Sequence, residues 1–360
     1  MKILEINQTH HLFKEFIGLP YKLYPGKMDW VPPFKESVYL ELSPSNTFFQ
    51  HGECTLFVAI VNDSVVGRIS ASIDSALTAN EKTGHIGYFE CIEDKDIGLA
   101  LIAKAEEWHR SKETKIIHGP LNLNIYTGYR FMTDSFEKAA YLGEPRTLPY
   151  YPSIFIEANY KPITSWRTFE LSARHHEQII SEMAPKVAQF KDPKADYKII
   201  PLRFDTFENE LKELYPLCLS IFQENYGYAD MSLDEFLSHY APLKALYLEH
   251  YFLKVVDGAG TPIAFSYVYP NRIEDFKKAQ GSYTGYHPTE FKSSTVLSVF
   301  GVSKAYRRST IAYELVLYTF DKLKANNSQL SFASLTKEGK TFMDHLDCPV
   351  RTYAMYEKRL

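Results

Sequence analysis

The segment 299–315 reads VFGVSKAYRRSTIAYEL, and no other stretch of the chain constrains its fold as tightly. The β-branched run 294–302 suits a buried strand, the turn SKAYRRST is short and basic, and apolar spacing turns helical from Ile311 to Leu323. There Ala312, Val316, Thr319 and Leu323 fall on one face. A strand that feeds directly into a helix leaves the first helical amides unpaired at the positive end of the dipole. Such a terminus attracts anions, and Arg307 and Arg308 at its lip add donors suited to phosphate. A solvated basic turn before an ordinary helix has the same look, so the pattern alone leaves two readings.

The elements around this turn are legible from pattern. Strands are predicted at 197–203, 330–335 and 351–357, helices at 206–226 and 232–248, and a short helix at 337–346. Ser232 and Glu235 form a capping-box signature, and Asp257-Gly258-Ala259-Gly260 marks the turn of a hairpin over 250–270. The N-terminal half gives a similar order: a hairpin over 55–73 turning at Asn62-Asp63, a strand at 84–92, a helix at 95–110 and a strand at 115–121. The stretches 154–171 and 341–360 both read as a helix end, a turn and an aromatic-rich strand. This self-similarity suggests a duplicated unit, and 360 residues are long for one core. The expected division is 1–171, a polar connection 172–196 in which 175–190 has helical potential, and 197–360.

The 299–315 segment resembles the coenzyme A pyrophosphate loop of the GCN5-related N-acetyltransferase (GNAT) superfamily. Val302, Tyr306 and Arg307 match the end of its fourth strand, and Ala312 matches the last small position of the loop. Thr310 stands where the first loop glycine is expected. The ordered motifs DWVPPF, VVGRISASID, GYFE, HGPLN and ENYGY–SLDEF resemble a family of bacterial two-lobed GNAT-like proteins. The stretch Tyr129–Phe136 departs from that family, where a more apolar, glycine-containing segment is expected.

The resemblance implies an α/β (α+β) fold of two tandem GNAT-like lobes, each a mixed, mostly antiparallel sheet flanked by helices. It also implies acetyl-CoA or another acyl-CoA as co-substrate, with no metal. Phe300 and Gly301 are then expected at a strand bulge beside the pantetheine, and Val302, Arg307, Arg308, Ser309, Thr310, Ile311 and Ala312 around the pyrophosphate. The turn Glu90–Asp96 of the N-terminal half carries four carboxylates against Lys95, so one coenzyme A site per chain is expected.

Acyl transfer to an amine needs a proton acceptor, a proton donor for the leaving thiolate and donors for the oxyanion. Many GNAT enzymes use a tyrosine acid on the helix after the fifth strand, and alignment of 337–346 puts Met343 there. Replacement tyrosines are Tyr313 and Tyr318, Tyr283 and Tyr286, Tyr353 and Tyr356, with Tyr313 and Tyr356 the expected acids. With 26 tyrosines in the chain, any one of them is more often structural. Glu224, before Asn225-Tyr226-Gly227, is the expected general base, against the alternative of a solvated helix-end charge. Asn122 and Asn124 could face a cleft or cap a turn, and His175-His176 read as a surface pair. The leading reading is an acyl-CoA-dependent N-acyltransferase acting on a small-molecule or peptide amine. The alternatives are a non-catalytic acyl-CoA sensor or scaffold and an aminoacyl-tRNA-dependent transferase of the duplicated type.

Charge and motifs narrow the rest. A formal net charge of −4 supplies no global positive field for nucleic acid or anionic membrane. No apolar run approaches the ~20 residues that span a bilayer, and MKILEINQTHHLF lacks a signal-peptide core. Four scattered cysteines without CxxC spacing argue against a zinc site or a disulfide framework, so a cytoplasmic location is expected. The chain has no GxSxG, Walker or HExxH motif, which leaves hydrolase, NTPase and metalloprotease readings unsupported. Aromatic residues make up 15%, which favours large cores and an aromatic-lined cleft.

Overall fold

Turn residues and caps set the element boundaries. The computed structural model describes the chain except residues 25, 27–28, 78–80, 192–195, 247–250, 287–292 and 340. The N-terminal half begins with β1 (Lys2–Ile6) and three short helices, α1 (Phe13–Gly18), α2 (Pro20–Leu23) and α3 (Lys35–Glu41). The hairpin β2 (Gly52–Val61) and β3 (Ser64–Asp74) turns at Asn62 and Asp63, whose φ values of 48° and 57° are those of a primed turn. Then come β4 (Thr83–Cys91), α4 (Lys95–Ser111), β5 (Ile116–Gly119), β6 (Phe131–Met132), α5 (Tyr151–Glu157) and β7 (Lys161–Ser172).

Helix α6 (Ala173–Phe190) occupies most of the expected connection 172–196. His175 and His176 lie in its first turn and are buried, not a surface pair; His175 Nδ1 caps the Ser172 amide at 3.0 Å. The apolar face of α6, with Ile179 and Met183, explains its helicity, since it packs against Phe320 and Leu323.

The C-terminal half contains β8 (Tyr197–Pro201), α7 (Phe207–Phe222), α8 (Leu233–Tyr240), β9 (Phe252–Asp257), β10 (Pro262–Pro270), α9 (Ile273–Ala279), β11 (Ser294–Val302), α10 (Ile311–Ala325), β12 (Leu330–Lys337) and β13 (Val350–Arg359). The Ser232–Glu235 capping box opens α8 as the sequence predicts, with both reciprocal bonds present. Beyond Tyr240 the chain tightens into a 3₁₀ segment, Ala241–Leu246, so the helix predicted over 232–248 ends early, and 247–248 lie outside the described residues. The short helix predicted at 337–346 is replaced by turns: Asp344 Oδ2 accepts the Thr341 amide at 2.7 Å, and Thr341 Oγ1 accepts the Met343 amide at 3.1 Å. Those side-chain bonds compete with helical ones.

All strands join one sheet in the order β1-β2-β3-β4-β5-β13-β7-β12-β11-β10-β9-β8, with β6 paired to β13. The two parallel pairings, β4 with β5 and β11 with β12, mark equivalent places in the two halves. The closing strands are exchanged. β7, the last strand of the first half, lies beside β12, while β13, the end of the chain, lies beside β5. The two also pair with each other antiparallel, from Val350 opposite Phe169 to Glu357 opposite Lys161. Consequently Ala354 and Tyr356, from the last seven residues, sit in the core built by Phe57, Ile86, Leu101 and Phe155 of the first half. No helix among the described residues is long and apolar enough to cross a membrane.

Candidate functional site

β11 and β12 pair in parallel only from Ser294–Leu330 to Leu297–Ala333. The next residue, Ser298, is an extra one relative to β10, where Tyr267 faces Val299 and Val268 faces Leu297. A bulge at this point bends β11 away from β12. It lies at Ser298 and not at Phe300–Gly301, where the resemblance put it. Past the bulge, the β11 edge that faced β12 has no strand partner among the described residues.

The parted strands open a cleft of about 910 Å³. Ser298, Val299, Phe300 and Val302 form one wall, and Ala312, Tyr313, Leu315 and Val316 of α10 another. Met183, Leu297, Phe320, Ala333 and Met343 make an apolar interior, while Tyr126, Tyr129, Arg130 and Trp166 enter from the N-terminal half. Gly301 does not line this space. A Cβ on it would come within 2.9 Å of the Ile221 methyl end and 3.0 Å of the Phe265 ring, so the packing behind the strand is close and would have to shift to take a side chain there.

The loop after β11 keeps its first helical amides available. Ser309 Oγ accepts the Ile311 amide at 3.3 Å, whereas Ala312 and Tyr313 lie in the first turn, where no intrahelical acceptor exists. Thr310 has its side chain buried, its Oγ1 donating to Glu314 Oε1 at 2.8 Å. The hydroxyl that replaces the expected glycine is thus engaged with the helix. Burial raises the Glu314 pKa, but bonds from Lys191, Tyr197 and Thr310 outweigh it and hold the carboxyl below its ordinary range. Arg308 lines an open groove with Tyr197, Tyr306, Ser309, Thr310 and Tyr313, and Ile311 packs in the core beneath.

The predicted catalytic residues are not brought together. Glu224 is exposed on the loop, 2.9 Å from Arg307 Nη1 and 3.1 Å from Lys304 Nζ, and does not line the cleft. Hydrogen bonds from Arg307 and then Lys304 lower its pKa, which makes it a weaker base. Tyr313 stands at the cleft mouth, 40% exposed, with the Lys186 ammonium 5.8 Å from its ring. Tyr356 is buried between Phe131 and Phe155, each ring 6.0 Å away, in the core of the other half.

The structure instead assembles a polar network at the cleft from three distant segments. The Tyr226 hydroxyl lies 2.5 Å from His118 Nε2 and 3.0 Å from Glu357 Oε2, and His118 Nε2 is 3.2 Å from the same carboxylate. Tyr226 lines the cleft, held by its loop after α7; His118 comes from β5 and Glu357 from β13. Burial lowers the His118 pKa to about 4, so its imidazole is neutral near pH 7. Burial, reinforced by Glu357, raises that of Tyr226 and keeps the phenol protonated. Nearby His239, edge-on to Tyr126, is also lowered to about 4 by burial. Sequence reasoning missed this trio, although His118 and Tyr226 lie in the motifs HGPLN and ENYGY.

The equivalent place in the N-terminal half is built differently. β4 and β5 pair from Thr83–Ile116 to His85–His118 and then part, with a register shift just beyond and Tyr88 at φ 47°. The chain's own segment enters this gap. Leu121 donates its amide to Ile86 O at 2.8 Å, and Asn122 Oδ1 accepts the Tyr88 amide at 2.6 Å. Asn122 thus fills a gap within the N-terminal half and does not line the cleft, while Asn124 caps the turn, its Oδ1 accepting the Tyr126 amide at 3.0 Å. At the following helix, Asp94 caps the Asp96 and Ile97 amides at 3.0 and 3.3 Å. Glu90 is turned inward onto Tyr24 (3.0 Å) and Tyr151 (2.7 Å) instead of joining the acidic turn.

This duplicated sheet with one open parting defines the fold as the tandem GNAT fold. A tandem GNAT protein from the clavulanic acid biosynthesis pathway superposes with a TM-score of 0.56 over 99% of this chain and 98% of its own, at 12% identity. A GCN5-related glucosamine N-acetyltransferase region of a fungal multi-domain GH3 β-N-acetylglucosaminidase gives 0.60 over 99% of this chain and 38% of the other, at 14% identity. In sequence, protein YghO of Escherichia coli (strain K12) is 25% identical over 368 residues, spanning 96% of this chain and 93% of that protein. A bacterial ceramide synthase of Caulobacter vibrioides (strain NA1000 / CB15N) is 35% identical over 116 residues, 31% of this chain and 30% of its own length. No protein-family model matches the chain.

Proposed function

We propose that the protein is an acyl-CoA-dependent N-acyltransferase that joins a long-chain acyl group to a primary amine. The observation that carries this reading is the open parting of β11 and β12, which leads from the start of α10 at Ala312 and Tyr313 into the apolar interior around Leu297, Phe320 and Met343. The first-turn amides of α10, with Arg307 and Arg308, fit a pyrophosphate, and the unpaired β11 edge fits the amides of a pantetheine arm. Arg307 would exchange Glu224 for phosphate, a small loss because the pair is exposed. Similarity over 116 residues to a ceramide synthase supports a long chain, since a ceramide is the amide of a fatty acid with a long-chain amino alcohol.

In the reaction the amine nitrogen attacks the thioester carbonyl, the C–N bond forms, the C–S bond breaks and the thiolate takes up a proton. Tyr226 is assigned the proton traffic. Its phenol passes a proton to His118 or Glu357 as it takes one from the amine, then gives that proton to the sulfur and recovers its own from His118 or Glu357. Coenzyme A thiol release, followed with acetyl-, decanoyl- and palmitoyl-CoA and 2-aminohexadecan-1-ol, tests the reading. Release that rises with acyl length supports it. Coenzyme A binding without thiol release favours a sensor, a role for which Met343 at the family's tyrosine position speaks.

A further inference from the structure

Arg130 is a cation in the wall of the cleft with no carboxylate beside it among the described residues. Its backbone has φ +81°, the left-handed region that residues with a side chain rarely adopt. The guanidinium carbon is 3.6 Å from the ring centre of Tyr129 and 4.1 Å from that of Trp166, two rings set edge-to-face at 88°. Nη2 donates to the Tyr129 hydroxyl, while Nε is buried and bonds nothing.

The buried arginines among the described residues have carboxylate neighbours, Arg68 with Glu90 at 3.9 Å included. Arg351 reaches Glu144 at 2.9 Å and Glu170 at 2.5 Å, and Arg146 reaches Glu144 at 3.1 Å. A guanidinium taken out of water without such a partner is unfavourable unless something else supplies the negative charge. Aromatic stacking orients the group and leaves donors that Tyr129 does not take up, the arrangement that suits an oxyanion. The phosphates of coenzyme A have their own donors at 307–312. Arg130 arrives from the opposite half of the molecule, so the charge it awaits belongs to the second substrate.

We propose that Arg130 binds an oxyanion carried by the acceptor, which is therefore an amine bearing a carboxylate, sulfonate or phosphate near the amino group rather than a neutral amino alcohol. This rests on the N-acyltransferase reading above. The segment Tyr129–Phe136, where the chain departs from its two-lobed relatives, is then the part of the cleft that selects the acceptor.

The test is calorimetric titration of the full chain with 2-aminohexadecan-1-ol and with its 1-carboxylate, 1-sulfonate and 1-phosphate counterparts, beside thiol release from palmitoyl-CoA with each. At least one oxyanion probe should bind about tenfold to a hundredfold more tightly than the alcohol, as a hydrogen bond to a charged group predicts. Arg130→Gln should erase that preference and Arg130→Lys should keep part of it, with coenzyme A affinity unchanged as the check on folding. Equal affinity of the unmodified chain for all four probes, or a preference that survives Arg130→Gln, overturns the inference, and thiol release onto the alcohol would leave N-acyl transfer standing. Absence of thiol release with every acceptor overturns the transferase reading and this inference with it.

Discussion

The two halves share a sheet plan and differ in what fills the place where their parallel strands part. In the C-terminal half the gap beyond Leu297 and Ala333 is open and lined with apolar side chains. In the N-terminal half the gap beyond His85 and His118 holds residues 121–123, whose backbone and Asn122 side chain satisfy Ile86 and Tyr88. The helix starts follow suit, with Asp94 closing the amides of α4 and no side chain closing those of Ala312 and Tyr313. A backbone amide that already has an internal acceptor offers nothing to a ligand. The same fold thus makes a binding site or a wall according to whether the chain satisfies itself.

The halves are nevertheless one folding unit, because each contributes its last strand to the other. Expressed separately, 1–190 and 196–360 should fail to fold, a loss comparable to the whole stability of a domain, about 5–15 kcal/mol. Circular dichroism of each piece and of the two co-expressed checks this; two stable, monomeric halves would break the exchanged-strand account.

Tyr226→Phe should lower turnover by about 10²–10⁴-fold with coenzyme A affinity unchanged, whereas Tyr356→Phe, deep in the other half, should leave turnover intact. Steady-state kinetics paired with titration separates the two, and an unaffected Tyr226→Phe would remove the network from the mechanism. Next in size is the asymmetry of coenzyme A binding. Calorimetry should give one site per chain, and the double change Arg307→Glu, Arg308→Glu should weaken it by at least about 1.5–3 kcal/mol. Asp94→Ala should cost about 1 kcal/mol of stability through its lost cap and leave coenzyme A binding untouched. Two equivalent sites would end the comparison drawn above.

A smaller effect tests the seam between the halves. His51 joins Asp74 at 2.8 Å and Glu235 of α8 at 2.9 Å. Burial pulls its pKa down, but the bonds to Glu235 and Asp74 more than reverse this, and it lies above the ordinary 6.5. Its contribution is fully present below that value and fades as the pH rises through the raised pKa, by up to about 1 kcal/mol. Denaturation midpoints at pH 6 and 8.5 should therefore differ more in the unmodified chain than in His51→Gln. Smallest of all, Met343→Leu should keep most of the activity, since the swap nearly conserves volume in the cleft wall and removes no proton donor. A large loss in an acyl-transfer assay would show that the thioether does more than fill space.

Much of this was written locally. The strand predicted at 294–302 is β11 residue for residue, the Asn62-Asp63 turn adopts the left-handed φ values it needs, and the Ser232–Glu235 box caps α8. Each is decided within a few residues by side-chain shape or a short hydrogen bond, which a linear pattern displays. The segment 337–346 misled because its apolar spacing suits a helix while Thr341 and Asp344 bond its backbone into turns.

What only the tertiary structure decided depends on residues far apart along the chain. The exchange of β7 and β13 pairs two such distant segments, with Val350 opposite Phe169. Tyr226 meets His118 across 108 residues and Glu357 across 131, and the pairing of Glu224 with Arg307 removes it from the cleft across 83. The sequence by itself determined the duplicated strand–turn–helix plan and the basic turn at 307–308. Which gap stayed open, and which side chains converge on it, was fixed by packing between the halves, because burial and hydrogen-bond satisfaction belong to the assembled surface and not to any one segment.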